Sequence, residues 1–527
     1  MKKATHSIPF SSLALAFSLL ASGAAQAEWI KSYGTKNNET GAAMPSKQGG
    51  YYLSMISTPT ASKTKSVALF SLLDANGKAA WTKQITTGKY DYFSLNELGS
   101  GRVLLQGTTQ LSATSPDNAV WAIYDVNRTT GALSPKFSKT YKKGNHSLYF
   151  SEDSQGILWG MGSTSAFSQN GQGTDLILAK INTATGLPAW SKVYHYGYDD
   201  SVRAIIPKGQ NFILAVNTQN ANADSQKILL GQLNKLGVPV AGSFKEYDGN
   251  GLSTVINIEP ISGGNYLLYG TNQSSIADKN PTVFVMKLNS SLNVVWGKKY
   301  AAGADQGLST PVIDENADGS YTLTGNLTTA DNIQIPGIPF PIPMSSQHPA
   351  VIQISSTGAV ISGKSFGYQN DTAVFTKGAN STYLLSGQMM PFIDITSPNK
   401  PVNIDALYGH FSADVAPHWV KTLGGPKNDF GFISPQPTGY WLSGFSSSWG
   451  VGNMDVVAGK LDTNGDVPGC QYIKEVTMLE TALNITAEDL NWHPQPAVLV
   501  KKGAIIPTGI TLNVTDATIA TTNVCSN

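Results

Sequence analysis

The sequence predicts an all-β fold: an eight-bladed β-propeller of four-stranded blades whose ring is closed by the N-terminal strand. Three observations support this prediction. A Trp/Lys motif recurs about every 53 residues, each repeat contains alternating apolar segments, and the chain starts and stops inside a repeat. Periods near 50 residues are typical of repeat architectures such as propellers. We divide the 527-residue chain into a signal peptide (1–27), a propeller (28–465) and a small β-rich C-terminal appendage (466–527).

The recurring motif has the form W-x-K-x-Y-G, and its lysine sets the register of the repeats. Consecutive lysines are 52, 56, 53, 53, 53, 66 and 57 residues apart. They are Lys31, Lys83, Lys139, Lys192, Lys245, Lys298, Lys364 and Lys421. A large aromatic side chain at this period buries about 150–250 Å². We interpret the Trp as a packing residue between blades, and the acid that often follows the glycine as a turn cap.

Each repeat contains two further landmarks, always in the same order. One is a glycine-bounded apolar run such as GRVLLQG (101–107), and the other is an alternating run such as LILAKI (176–181). Both have the composition and the period of two that are typical of strands. The lysine segment and a fainter segment such as SVRAIIP (201–207) bring the total to four strands. Four-stranded sheets arranged radially are propeller blades.

The ends of the repeat region predict how the ring closes. The chain enters within a repeat at Trp29, and the last repeat stops after its third strand at Leu461. The N-terminal segment would supply the missing fourth strand of the last blade. A ring closed in this way leaves only short strand edges exposed.

The first 27 residues have the form of an export signal. Lys2 and Lys3 precede the apolar segment 13–21, and Ala25-Gln26-Ala27 forms a small-x-small cleavage site. No later apolar run approaches the roughly 20 residues of a spanning helix. We therefore expect a soluble, exported monomer that is periplasmic, surface-bound or secreted. Without the two signal lysines, 34 basic residues face 35 acidic ones, a balance that gives no reason to bind nucleic acid.

The two cysteines, Cys470 and Cys525, both lie near the C-terminus. In an oxidising compartment they predict one disulfide, although a metal pair or two free thiols remain alternatives. The tail would then be an appendage closed by the disulfide. It would brace the ring or attach the protein to a surface.

Most of the mature chain resembles secreted bacterial β-propeller proteins built of W-x-K-x-Y-G-G…GGY-x-L-x-G repeats. The segment LDTNGDVPGC (461–470) and the Thr-rich tail resemble the C-terminal pattern of many such proteins. These proteins are mostly uncharacterised, so the resemblance implies fold and export but no catalytic residue. A weaker resemblance links DANGKAAW (74–81) and NTATGLPAW (182–190) to the tryptophan-docking repeat of eight-bladed quinoproteins and related non-enzymatic propellers.

Motifs for catalysis are not found. The sequence contains no nucleophile elbow, Walker A loop or dinucleotide fingerprint, and its histidines lack zinc-site spacing. We therefore predict no catalytic residue, no metal and no cofactor, with calcium left open at 314–319. That segment begins like a calcium loop but has Gly325 where a Glu is expected, so an Asx-rich turn explains it as well.

Two adjacent repeats carry long apolar insertions between their second and third strands, at 331–347 and 388–403. Loops at this position are expected to lie side by side on one face. The candidate binding residues are Ile338, Phe340, Ile342, Met344, Met389, Met390, Phe392 and Ile393. Apolar loops on a soluble protein either pack onto their own scaffold or form an interaction patch.

The sequence therefore favours a binding or scaffolding module of the cell envelope or exterior that acts through this long-loop face. Its partner would be an envelope or surface protein or a polysaccharide. One alternative is an enzyme that uses the propeller channel as a lyase, a glycan-active enzyme or a quinoprotein. Another is a purely structural envelope protein. Convergent carboxylates and histidines on the long-loop face would favour the enzyme.

Overall fold

The computed structural model describes residues 28–59, 66–88, 90–110, 117–141, 146–153, 155–167, 173–333, 342–367, 370–378, 382–390, 403–490, 492 and 494–526. These residues form forty β-strands and one short 3-10 turn at Ser262–Gly264. The all-β prediction is confirmed. Within the described ranges, no helix has the length and apolar character needed to cross a membrane. The signal segment 1–27 lies outside them.

The strands from β1 to β32 form eight groups of four, which we call units. The first unit contains β2 (Asn38–Pro45), β3 (Tyr51–Thr58), β4 (Val67–Leu73) and β5 (Ala79–Thr86), and the second contains β6 (Tyr90–Glu97), β7 (Val103–Gln110), β8 (Asn118–Val126) and β9 (Leu133–Thr140). The third unit contains β10 (His146–Glu152), β11 (Leu158–Thr164), β12 (Asp175–Ile181) and β13 (Pro188–His195), and the fourth contains β14 (Asp199–Lys208), β15 (Asn211–Gln219), β16 (Gln226–Asn234) and β17 (Lys245–Tyr247).

Units five to eight continue the pattern. The fifth unit contains β18 (Leu252–Ile261), β19 (Asn265–Gln273), β20 (Thr282–Leu288) and β21 (Val294–Ala301), and the sixth contains β22 (Gln306–Glu315), β23 (Tyr321–Ile333), β24 (Ile342–Ile354) and β25 (Val360–Gly367). The seventh unit contains β26 (Asn370–Lys377), β27 (Tyr383–Met390), β28 (Asp405–Phe411) and β29 (Pro417–Leu423), and the eighth contains β30 (Asp429–Gln436), β31 (Gly439–Ser446), β32 (Asp455–Leu461) and, from the N-terminus, β1 (Trp29–Gly34).

Within a unit, each strand pairs antiparallel with the next. The third strands are nearly continuous apolar runs, and every residue of β12 except Lys180 is buried. Such runs are expected for strands that are covered on both faces. One buried apolar cluster lies at each of the eight contacts between neighbouring units, including the contact of the eighth unit with the first. The core is therefore a closed circuit of eight clusters.

The N-terminal segment supplies the fourth strand of the eighth unit, as the sequence predicts. Strand β1 pairs antiparallel with β32, with Trp29 opposite Lys460 and Tyr33 opposite Val456. The eighth unit also packs on the first, because Trp441 Nε1 donates to the Ala43 carbonyl oxygen at 2.7 Å and its ring stacks on Tyr51.

The recurring Trp and its neighbours clamp a turn of the next unit. On β13, Trp190 Nε1, Lys192 Nζ and the Tyr194 hydroxyl donate to three successive carbonyl oxygens, those of residues 235–237. Side chains two residues apart share one face of a strand, which explains the W-x-K-x-Y spacing. Gly237 has a φ of +66°, and a Cβ there would lie 2.8 Å from the Trp190 ring. The packing role inferred for Trp is confirmed at this junction.

The C-terminal tail forms no separate appendage, contrary to the prediction for 466–527. Its eight short strands each extend a different unit as a fifth, outermost strand, in the reverse of chain order. From the seventh unit to the first, and finally the eighth, they are β33 (Ile473–Glu475), β34 (Leu479–Ala482), β35 (Thr486–Asp489), β36 (Gln495–Pro496), β37 (Val500–Gly503), β38 (Thr508–Gly509), β39 (Asn513–Asp516) and β40 (Ala520–Ser526). We call this segment the belt. It has too few residues between strands to build a core of its own.

The belt returns to its starting point. Cys470 precedes its first strand, Cys525 lies in its last, and the two form the predicted disulfide with a Cα–Cα distance of 5.3 Å. Several motif lysines also contact belt carboxylates, among them Lys298 with Asp489 at 2.7 Å and Lys364 with Glu480 at 3.0 Å.

Candidate functional site

The first and third strands of every unit begin at the same edge, so the second-to-third and fourth-to-first connections share one face of the molecule. We call it the connection face. The predicted apolar insertions fall between the second and third strands of the sixth and seventh units, but Ile338, Phe340, Phe392 and Ile393 lie outside the described residues.

The other four predicted residues lie in strands. Ile342 and Met344 are in β24 and Met390 is in β27, and only their backbone positions are described. Met389 is 7% exposed and packs in the cluster between the sixth and seventh units. Its side chain is therefore a core residue and is not available to a partner.

Buried acids recur at the start of the first strands and cap the connections. Asp200 accepts the backbone N–H groups of Tyr196 at 2.7 Å and Gly197 at 3.0 Å. Asp429 accepts the N–H of Gly425 at 2.7 Å in the same way. The turn-capping interpretation of these acids is supported by these contacts.

A second set of acids begins the third strands, and each meets the buried acid of the following unit. Asp455 meets Glu39, and Asp405 meets Asp429. Burial together with the neighbouring carboxyl group raises the pKa of Asp455 to about 6, and the pKa of Asp405 likewise to about 6. Two neighbouring carboxyl groups resist double ionisation.

The junction of the third and fourth units differs, because a histidine joins its two acids. Leu176 pairs with Tyr194, so Asp175 and His195 lie side by side at the ends of β12 and β13. The Nδ1 atom of His195 lies 2.7 Å from Asp175 Oδ1. His195 is three residues beyond its motif lysine, a position occupied by Gly34 and Gly424 at the two junctions described above.

The same junction contains the third acid, Asp200. One potential ligand atom from each of Asp175, His195 and Asp200 lies within 4.8 Å of the others. Both carboxylates are buried, whereas the His195 side chain is 40% exposed. Burial raises the pKa of Asp200, while its hydrogen bonds and the nearby His195 act in the opposite direction.

A pocket of about 540 Å³ opens beside this cluster on the connection face. Its wall includes Lys227, whose Nζ lies 2.9 Å from Glu246 Oε1, and the Tyr196 hydroxyl donates to Glu246 Oε2 at 2.6 Å. The wall also contains Gly197, Tyr198, Thr218, Gln219, Asn220, Ala221 and Ser225. The pocket therefore offers aromatic faces, amides and hydroxyls, and its lysine is already paired with Glu246 and, at 3.2 Å, with Asp248.

A further cluster of titratable groups lies where first strands end, on the face opposite the pocket. Glu259 accepts hydrogen bonds from Tyr269 at 2.7 Å and Asn257 at 2.9 Å, and Lys377 lies 3.4 Å from Asp314. Burial raises the pKa of both carboxyl groups, and Lys377 lowers both. One cation, Lys377, therefore compensates the charge of two carboxyl groups only in part.

The segment considered as a calcium loop begins in this cluster. Beyond Asp314, the Asn316 amide contacts Ser320 at 3.0 Å, and Asp318 accepts the backbone N–H of Ser320. The Asx-turn interpretation accounts for these side chains.

Comparison with known proteins adds little. No protein-family model and no curated protein matches the chain. An α-L-arabinofuranosidase from Fusarium graminearum is 11% identical (TM-score 0.30, covering 60% of this chain and 92% of that one). An apocarotenoid oxygenase from Synechocystis is 10% identical, with a TM-score of 0.34 over 93% of this chain and 96% of that one. An endo-1,5-α-L-arabinanase from Thermotoga petrophila is 10% identical, with a TM-score of 0.24 over 82% of this chain and 99% of that one. Similarity at these scores supports no argument about function.

Sequence reasoning missed the junction cluster because its members are far apart in the chain. Two signals were present: an Asp at the start of a third strand in GTDLILAKI (173–181), and His195 in WSKVYHYG (190–197) at a position that is glycine in other repeats. Neither has a metal-site or catalytic spacing. They meet only because β12, β13 and β14 begin or end at one edge.

Proposed function

We propose that the protein is an exported eight-bladed β-propeller that binds a neutral, hydroxyl-rich ligand on its connection face. The ligand class is an oligosaccharide segment of an envelope or surface polysaccharide. The eight four-stranded units, the circuit of eight clusters and the pairing of β1 with β32 support the propeller. The signal-like segment 1–27 and the disulfide support export.

The observation that carries the binding role is the composition of the junction pocket. Its volume of about 540 Å³ falls in the range of small-molecule sites. Lys227 in the wall is already paired with Glu246 at 2.9 Å and with Asp248 at 3.2 Å, so the wall offers an anionic ligand no unpaired lysine. Two tyrosines, with the amides and hydroxyls around them, match the apolar faces and hydroxyl groups of a sugar.

The test is equilibrium binding of the mature protein to oligosaccharides released from the native envelope polysaccharide. Replacing Tyr198 by Ala removes one aromatic face and should weaken binding by about tenfold or more, the factor that corresponds to 1.4 kcal/mol. The matched control replaces 334–341, the apolar insertion of the sixth unit, by a short Gly/Ser turn. It should leave sugar binding unchanged.

Two results would contradict the proposal. No measurable binding of any released oligosaccharide would exclude this ligand class. If binding survives Tyr198→Ala but disappears when 334–341 is replaced, the ligand binds at the apolar insertions and not in the junction pocket. Thermal melts of both variants, compared with that of the parent protein, separate loss of binding from loss of folding.

A second candidate is an enzyme that acts on a glycan in the same pocket. It is favoured by the Asp175–His195 pair, in which a buried carboxylate orients a partly exposed imidazole next to the ligand. Product formation that His195→Asn abolishes, with sugar affinity retained, would establish it.

A further inference from the structure

Three strands bring nitrogen and oxygen donors together at the junction of the third and fourth units. Asp175 begins β12, His195 ends β13 and Asp200 lies in β14. The positions are fixed by the backbone, because the Asp200 N–H donates to the Thr174 carbonyl oxygen at 2.9 Å. The approach of the three side chains to within 4.8 Å is thus set by strand pairing rather than by mobile loops.

One donor in this cluster has an unused lone pair that is shielded from water. The side chain of Asp175 is 3% exposed, and its Oδ1 contacts His195. Its other oxygen, Oδ2, is buried with no hydrogen-bond partner. A buried polar atom without a partner destabilises the folded protein by about 1–3 kcal/mol, and a bound cation would remove this cost.

The donor set selects among cations. Calcium and magnesium prefer oxygen ligands alone, whereas imidazole suits zinc and other first-row transition metals. Three protein ligands beside an open pocket are the arrangement that leaves a coordination position for water or a bound molecule. Zinc ligands at about 2.1 Å from the metal lie about 3.4 Å apart in a tetrahedral site. Binding therefore requires the hydrogen-bonded His195 Nδ1 and Asp175 Oδ1, now 2.7 Å apart, to separate, and the three ligand atoms, now within 4.8 Å of one another, to adopt that spacing.

We propose that Asp175, His195 and Asp200 bind a divalent transition-metal ion, with Zn²⁺ as the preferred ion. The site goes beyond the sugar-binding role, and it does not depend on that role. Metal bound here would link the third strand of one unit to the first strand of the next, beside the pocket residues Tyr196 and Gly197.

The experiment is titration of the chelator-treated mature protein with ZnCl₂ by calorimetry, alongside thermal melts with and without the metal. We expect one equivalent to bind through the cluster and the melting temperature to rise with metal concentration, since a ligand of the native state stabilises it. His195→Gly introduces the residue found at two other junctions, so the fold should be retained. The substitution should weaken zinc binding at least tenfold, because even residues that only support a metal ligand typically change metal affinity by about 10–100-fold when they are replaced.

A control removes the other place where histidines meet. His410 and His418 have ring centroids 4.9 Å apart on β28 and β29 and could take up zinc adventitiously. The variant His418→Asn should leave the junction equivalent in place.

Three results would overturn the proposal: no zinc bound by the parent protein, binding that His195→Gly leaves unchanged, or binding that only His418→Asn removes. If His195→Gly fails to fold, Asp175→Asn replaces it and should give the same loss of affinity. Calcium binding with a Ca²⁺ affinity above that for Zn²⁺ would also contradict the assignment.

Discussion

The third and eighth units have the same four strands, but they join their third and fourth strands differently. In the third unit, β12 and β13 are connected by the turn at residues 182–187. In the eighth unit, β32 and β1 come from opposite parts of the chain and meet only through pairing. In both units a belt strand covers the outer edge of the fourth strand, but in the eighth unit that strand, β40, carries the disulfide cysteine Cys525, which lies opposite Ile30.

The disulfide takes the place of the missing turn. The chain leaves β32, passes the turn at 462–465 and reaches Cys470, which is bonded to Cys525 in β40. Strand β1 therefore lies between two strands that are covalently linked across its position. Where a hairpin would normally hold the outer strand, the belt and its disulfide do so.

The largest expected effect comes from removing that outer strand. Deletion of residues 28–34 exposes the edge of β32, leaves β40 without its partner and removes the Trp29 and Tyr33 contacts with the turn at 74–77. The melting temperature should fall by about 10 °C, since a large domain shifts by at most about 2–4 °C per kcal/mol and the deletion removes a whole strand with its buried aromatic side chains.

The matched control for this deletion is a synthetic peptide of residues 28–34 added in trans, which should restore part of the melting temperature. A deletion variant that melts like the full chain would show that the eighth unit needs no fourth strand.

A smaller effect is expected when the disulfide is removed by Cys470→Ser. Closing a loop of 55 residues stabilises by about 4 kcal/mol in the chain-entropy model. Urea unfolding should show a loss of this size, and the belt should become sensitive to protease before the repeats do. The parent protein under reducing conditions is the control. Equal stability of the oxidised and reduced proteins would mean that strand pairing alone holds the belt.

The sequence predicts the repeats well and the belt poorly, for a physical reason. Trp29 and Lys31 contact a turn of the next unit in the same way as Trp190 and Lys192 do, and a recurring contact leaves a period in the sequence. The belt strands are two to seven residues long and largely exposed, so they carry no strong apolar alternation. Belt pairing depends on the free edges of the fourth strands, which only the assembled units present.

The candidate site was predictable only in part for a related reason. Met389 belongs to an apolar stretch whose sequence looks like a loop, but β27 extends as far as Met390 and buries it. The cluster around His195 has no local pattern, because Asp175 and Asp200 approach it from different strands.

The third and eighth units also differ in the groups that surround their buried carboxyl groups. This difference gives the smallest predicted effect on the free energy of unfolding. In the eighth unit Asp455 meets Glu39 beside Gly34, and its folded pKa is raised from 3.8 to about 6. Between these values the unfolded chain ionises while the folded protein keeps its proton, so stability falls as the pH rises. The loss is at most about 3 kcal/mol and is complete above the folded pKa.

Asp455→Asn removes this ionisation while leaving an oxygen to accept the Gly452 N–H, now at 3.0 Å. At pH 8 the variant should be more stable than the parent by about 2 kcal/mol, and its urea midpoint should vary less between pH 4 and pH 7. The same change at Asp175 has the opposite sign, because it removes the carboxylate that His195 contacts. If both variants lose stability at pH 8, the carboxyl pair of the eighth unit is not repulsive, and a cation or a shared proton holds it together.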